Sequence, residues 1–91
     1  MKYFIAYDIR EDRIRTRVVR LLEQNARRLQ KSLFVGDYRE AEAHGIEREL
    51  LALTADAEQP RLLVAPLCAA CTARAWTVGE PLEPERKFFV A

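Results

Sequence analysis

Asp8 is the residue in this chain best placed to do chemistry. It ends the run Tyr3-Phe4-Ile5-Ala6-Tyr7-Asp8-Ile9, and an arginine-rich stretch follows at once. A carboxylate there has two readings. It is a turn or cap aspartate that satisfies the free N–H groups of a following helix. Or it is a metal ligand or base at a strand end, where α/β and α+β folds often hold ligands. The other candidates are fewer. Cys68-x-x-Cys71 supplies two thiols and His44 is the only histidine, so Cys and His alone cannot complete a four-ligand structural zinc set. A thioredoxin-type redox pair would need the thiols to open a helix in a different fold. Two semi-buried thiols in a turn are therefore expected. No P-loop, GxGxxG or Ser-His-Asp arrangement is present.

The charges are unevenly spread. Residues 10–31 hold eight basic side chains (Arg10, Arg13, Arg15, Arg17, Arg20, Arg27, Arg28, Lys31) against three acids, while residues 37–58 hold seven acids against Arg39 and Arg48. The formal net charge of +1 conceals this two-sidedness. A basic first half suits phosphate, although charge-rich solvated helix faces look the same.

These residues need elements to hold them. Tyr3 to Ile9 is rich in aromatic and β-branched residues and reads as a buried strand. Alternation puts Tyr3, Ile5 and Tyr7 on one face, and Phe4, Ala6 and Asp8 on the other. From Glu11 to Asn25 the period becomes helical, with Ile14, Val18, Leu21 and Leu22 as the apolar stripe and Arg13, Arg17, Arg20 and Gln24 as a ridge beside it. Asp8 or Asp12 would cap this helix. Residues 27–38 suit two short antiparallel strands turning near Lys31 and Ser32. A second helix is expected from about Glu40 to Thr54, with Ala43, Ile46, Leu50 and Leu53 inward and Asp37 with Glu40 as a capping pair. Gly45 is its weak point. Gln59-Pro60 ends it, Arg61 to Pro66 is a strand apolar on both faces, and a short extended piece at Ala75 to Val78 follows. Gly79, Pro81 and Pro84 make a loop before a last strand at Lys87 to Val90.

The order is β-α-β-β-α-β with additional C-terminal strands, a ferredoxin-like α+β sandwich forming a single domain over residues 1–91. Two helices cover one face of such a sheet. The other wants a cover, and the simplest is a second copy of the chain. The aromatic signature of an RNA-recognition motif is absent, since Phe34-Val35-Gly36 does not fit it. No run of apolar residues approaches a membrane span, no signal-peptide pattern opens the sequence, and the two cysteines fit a reducing compartment, so a cytoplasmic location is expected.

Taken together, Tyr7-Asp8-Ile9, Asp12, Arg15 and Arg17, then Gln30-x-Ser32-Leu33-Phe34 with Gly36, then Pro66-Leu67-Cys68-x-x-Cys71, resemble the CRISPR-associated protein two family. The match spans nearly the whole chain. It implies a face-to-face homodimer whose C-terminal segment, about residues 75–91, reaches the partner protomer. It also implies a bridge between integrase subunits during spacer acquisition and, in some members, Mg²⁺-dependent endonuclease activity. The family's active-site positions fall on Tyr7, Asp8, Arg15, Arg17, Arg28 and Phe34, with Asp8 as the metal ligand paired with its dimer mate. Arg13, Arg15, Arg17, Arg20 and Arg28 would meet nucleic-acid backbone. Arg10, Asn25-Ala26 and Leu33 depart from the usual family pattern without removing a ligand. Two other readings stand beside this one: an architectural nucleic-acid scaffold with a vestigial site, and a related toxin-like endoribonuclease.

Overall fold

The computed structural model describes residues 1–82. Strand β1 (Lys2–Asp8) leads into helix α1 (Asp12–Asn25), then strands β2 (Arg27–Gln30) and β3 (Leu33–Asp37), helix α2 (Glu40–Leu53), strand β4 (Arg61–Leu67) and a short helix α3 (Ala69–Arg74). The four strands form one sheet in the order β2-β3-β1-β4, and every neighbouring pair is antiparallel. This is the expected α+β ferredoxin-like arrangement, with the turn between β2 and β3 at Lys31 and Ser32.

Side-chain alternation along β1 decides what lies where. Ile5, Tyr7 and Ile9 enter the core shared with Val18 and Leu22 of α1 and Ala43, Ile46 and Leu50 of α2. Directly opposed residues of antiparallel strands share a face. Phe34 therefore joins Ile5 in that core, and Leu62 and Val64 pack at its margin. Both helical stripes face the sheet as their periodicity requires. The opposite face carries Phe4, Ala6, Asp8, Leu33, Val35, Leu63, Ala65 and Leu67. Among the described residues neither α1 nor α2 covers it: Leu63 is 58% exposed, while Val35, beside Arg27 and the segment it holds, is buried.

The helix starts differ from expectation. The residue before α1 is Glu11, with no side-chain cap, while Asp8 stays in the strand and Asp12 pairs with Arg15. Asp37 does not cap α2. It lies directly across from Lys2, and its two oxygens take the N-terminal ammonium and the Lys2 ammonium, each at 3.1 Å. Those cations hold its carboxyl below the usual carboxylate range. Glu42 supplies the acceptor at α2, where its Oε1 takes the Arg39 N–H at 2.9 Å.

The end of the described chain also departs from the sequence reading. The alanine-rich stretch after Cys68 winds into α3, as helix propensity favours. Residues 75–82 hold no strand. Cys68 accepts the Cys71 N–H at 3.5 Å, and both thiols are free and exposed, not semi-buried, because α3 lies outside the two core layers. The Cys71 N–H lowers the Cys68 thiol pKa, and the neighbouring Cys68 raises that of Cys71. Within the same chain, Arg27 donates to the carbonyls of Pro81 (2.7 Å) and Leu82, drawing this segment towards β2. The expected last strand at 87–90 lies outside the described residues.

Candidate nucleic-acid and phosphodiester site

Of the six positions singled out in the sequence, three gather on the helix side of the sheet, Asp8 leaves by the other side, and Arg15 and Arg17 stand apart on α1. Tyr7, Arg28 and Phe34 come together on the helix side. Tyr7 Oη donates to the Lys31 carbonyl at 3.1 Å, and Arg28 Nη2 donates to Tyr7 Oη at 3.4 Å. The Arg28 guanidinium carbon sits 5.0 Å from the Phe34 ring centroid, a cation–π distance. The Tyr7 and Phe34 centroids are 6.3 Å apart. Register explains the grouping, since Arg28 opposes Phe34 on the β2–β3 pair and Phe34 opposes Ile5, the residue two before Tyr7. Tyr7 and Phe34 are buried and Arg28 is exposed. The arrangement steadies an arginine at the sheet's edge.

Asp8 points to the other side. It is exposed, and no hydrogen bond or ion pair engages its carboxylate among the described residues. Its strand partner is Arg61, the first residue of β4. A shallow depression of about 330 Å³ is lined by Asp8, Arg10, Gln59, Pro60 and Arg61. Arg15 belongs to neither group. It folds back over the connection that follows Asp8, donating to the carbonyls of Ile9 (2.9 Å) and Arg10 (3.3 Å) and to Asp12. Arg13, Arg17 and Arg20 stand exposed on α1 without an ion pair among the described residues.

A metal ion needs more than this chain alone provides. Among the described residues no three His, Cys, Asp or Glu side chains gather into a metal-binding cluster. His44 lies between Glu40 and Glu47 on the exposed side of α2. Mg²⁺ takes six oxygens in an octahedron. An unpartnered carboxylate fits one of those positions, so Asp8 offers one ligand and the remainder must come from water, a phosphate or another chain.

Three residues at this end were missed in the sequence. In the sequence Arg61 reads only as a strand start. Strands of seven residues paired along their full length place it opposite Asp8, but that requires the pairing. Gln59 has φ 49°, unusual for a residue with a β-carbon. Glu11 clamps the same loop, its Oε2 accepting the Glu58 N–H at 2.7 Å while Oε1 is enclosed without a partner.

The chain matches the family described as CRISPR associated protein Cas2 over residues 1–75. It belongs to the CRISPR-associated Cas2 family. A relative from Chloroflexus aurantiacus, named CRISPR-associated endoribonuclease Cas2 1, is 33% identical over 85 residues, covering 93% of this chain and 91% of that protein. Among solved structures, a hypothetical protein from Thermus thermophilus superposes with a TM-score of 0.73 at 26% identity, covering 92% of this chain and 96% of that one. Streptococcus pyogenes Cas2, crystallised at pH 6.5, gives a TM-score of 0.70 at 20% identity over 87% of this chain and all of that one. The latter likeness is one of fold. The Cas2 sheet, with its helices on one side, is therefore the frame on which Asp8 and the arginines are mounted.

Proposed function

We propose that this Cas2 chain works as a homodimer joined through its open sheet face, binding nucleic-acid backbone in the CRISPR spacer-adaptation module and cleaving phosphodiester bonds at a site shared by two copies of Asp8. One observation carries the reading. Asp8 is an exposed, unpartnered carboxylate at the end of β1, on the face that also presents Phe4, Leu33, Leu63 and Ala65. Joining two such faces removes apolar surface from water, worth roughly 25 cal/mol per Å². It also brings two carboxylates towards a common axis. Held there with Mg²⁺, such a pair would serve a metal that polarises a phosphoryl oxygen and lowers the pKa of an attacking water. The chain's own residues bind and orient. Asp8 supplies hard anionic oxygen, Arg15 fixes the loop behind it, and Arg28 presents charge at the sheet edge. The Chloroflexus relative's name, an endoribonuclease, supports hydrolysis of this kind.

A scaffold reading is favoured by the α1 ridge. Arg13, Arg17 and Arg20 can hold a backbone without cutting it, leaving the dimer to bridge integrase subunits. Asp8→Ala, assayed in parallel for Mg²⁺-dependent cleavage of RNA and DNA and for spacer acquisition in cells, tests both. Loss of cleavage with acquisition intact supports a nuclease whose activity the adaptation role does not use. Loss of neither makes Asp8 a structural residue and removes the catalytic reading.

A further inference from the structure

Arg61 carries an inference of its own. It stands directly across from Asp8 on the neighbouring antiparallel strand, so both side chains leave the sheet on the same side. Opposite charges in that relation commonly pair. Here no hydrogen bond or ion pair joins them, and nothing else among the described residues engages the Arg61 guanidinium. Arg10, on the same depression, is less free, because its charge acts on the Glu11 carboxylate.

The wall behind Arg61 is held in place. Gln59, at φ 49°, bends the chain into the left-handed region immediately before Pro60, a conformation that persists where surrounding structure imposes it. Glu11, reaching from the start of α1, takes the N–H of Glu58 and ties this loop to the connection behind Asp8. A strained, clamped loop thus delivers a planar fork of donors beside an unpartnered carboxylate, at the mouth of a depression. Guanidinium suits phosphate in that setting, since it is always charged and binds two oxygens at once.

We propose that Arg61 is a substrate-binding residue of the Asp8 site, taking a backbone phosphate of a single nucleic-acid strand next to the phosphodiester that Asp8 serves. The inference deepens the proposed phosphodiesterase reading and rests on it for the role of the neighbouring bond, though not for the binding itself.

The test separates the two. Binding of a short single-stranded oligonucleotide to the dimer is titrated in chelator, with no metal, over a range of salt. Arg61→Gln should weaken it roughly tenfold and flatten the log–log salt slope by about 0.7, the value for one single-strand phosphate. Arg61→Lys should keep the slope. In cleavage assays Arg61→Gln should raise KM while leaving kcat within about twofold, as loss of uniform binding does. If wild type does not cleave, or Asp8→Asn cleaves normally, the nuclease reading fails while the binding arm still stands. A second measurement needs no variant. Arginine-specific modification of wild type by phenylglyoxal, read by mass spectrometry, should show Arg61 protected by the oligonucleotide. Unchanged affinity and slope in Arg61→Gln, or an Arg61 that modifies equally with and without oligonucleotide, would overturn the assignment.

Discussion

The ring of Tyr38 lies over Gly36 so closely that a β-carbon on the glycine would fall 2.1 Å from Tyr38 Oη. The two residues share the helix side of the sheet, and Tyr38 crosses Gly36 to donate its hydroxyl to the carbonyl of Asn25, the last residue of α1. Tyr3 stacks beside it with centroids 5.9 Å apart. The glycine thus lets β3 be locked to the end of α1. Burial raises the Tyr38 hydroxyl pKa.

Gly36→Ala should therefore destabilise the protein by about 3 kcal/mol, because the buried ring must move and its hydrogen bond breaks. Gly45 is the opposite case. It sits in α2 with open space around its α-carbon, so Gly45→Ala should stabilise by about 0.5–1 kcal/mol. Denaturant unfolding of both variants checks the pair. A Gly36→Ala protein as stable as wild type would show that the ring's position is not fixed by this contact.

The Glu11 clamp predicts a pH signature. The Glu58 N–H, the largest influence, holds the Glu11 carboxyl below its ordinary value, helped by its own backbone N–H and by the charge of Arg10. A carboxylate with a depressed folded pKa contributes stability above its unfolded pKa of about 4.3 and loses it as pH falls through the folded value. Glu11→Gln keeps an acceptor but no charge. Its melting temperature should lie below wild type at neutral pH, and the gap should close progressively once the pH drops below about 4. Asp37 behaves alike in both proteins and cancels. A gap that stays constant into acid would mean the charge on Glu11 contributes nothing.

For the ridge on α1, Arg17→Ala should lower duplex affinity similarly for unrelated sequences and reduce the salt slope by roughly one unit. Titrations at several salt concentrations measure both. Binding indifferent to salt, or a loss confined to one sequence, would make Arg13, Arg17 and Arg20 a solvated face only.

The open sheet face predicts self-association. Light scattering at micromolar concentration should return twice the chain mass, and Leu63→Asp, which places a charge at the most exposed apolar strand position, should shift the protein to monomer. A monomeric wild type would remove the shared Asp8 site.

Much of this architecture was legible because its signals are local. The Val18 and Leu22 stripe, the alternation through Ile5 and Tyr7, and the turn at Lys31 and Ser32 each depend on neighbours a few residues away. What escaped depends on partners far along the chain. Asp37 has the composition of a cap, but Lys2 and the N-terminus, brought alongside by strand pairing, outcompete the helix for its oxygens. Arg61 acquires meaning only from its register with Asp8. Cys68 to Arg74 carried a plain helix propensity that its two thiols obscured. Of the family's site positions, alternation alone sets Tyr7 on the face of Tyr3 and Ile5, whereas Phe34 joins it only through the β1–β3 register. That Asp8 leaves by the opposite face follows from the same rule.

That opposition sets a ruler. The Asp8 carboxylate leaves one face of the sheet, whereas α1, with its ridge of Arg13, Arg17 and Arg20, packs on the other, and a helix with its side chains is about 10 Å across. Successive phosphates of one stacked strand advance only about 3.4 Å along its axis. A strand touching both places on one protomer must pass round the sheet's edge. Fragments too short to pass that edge should therefore occupy the acid's side or the ridge, and affinity should rise in a step, not smoothly, as ligands grow past it.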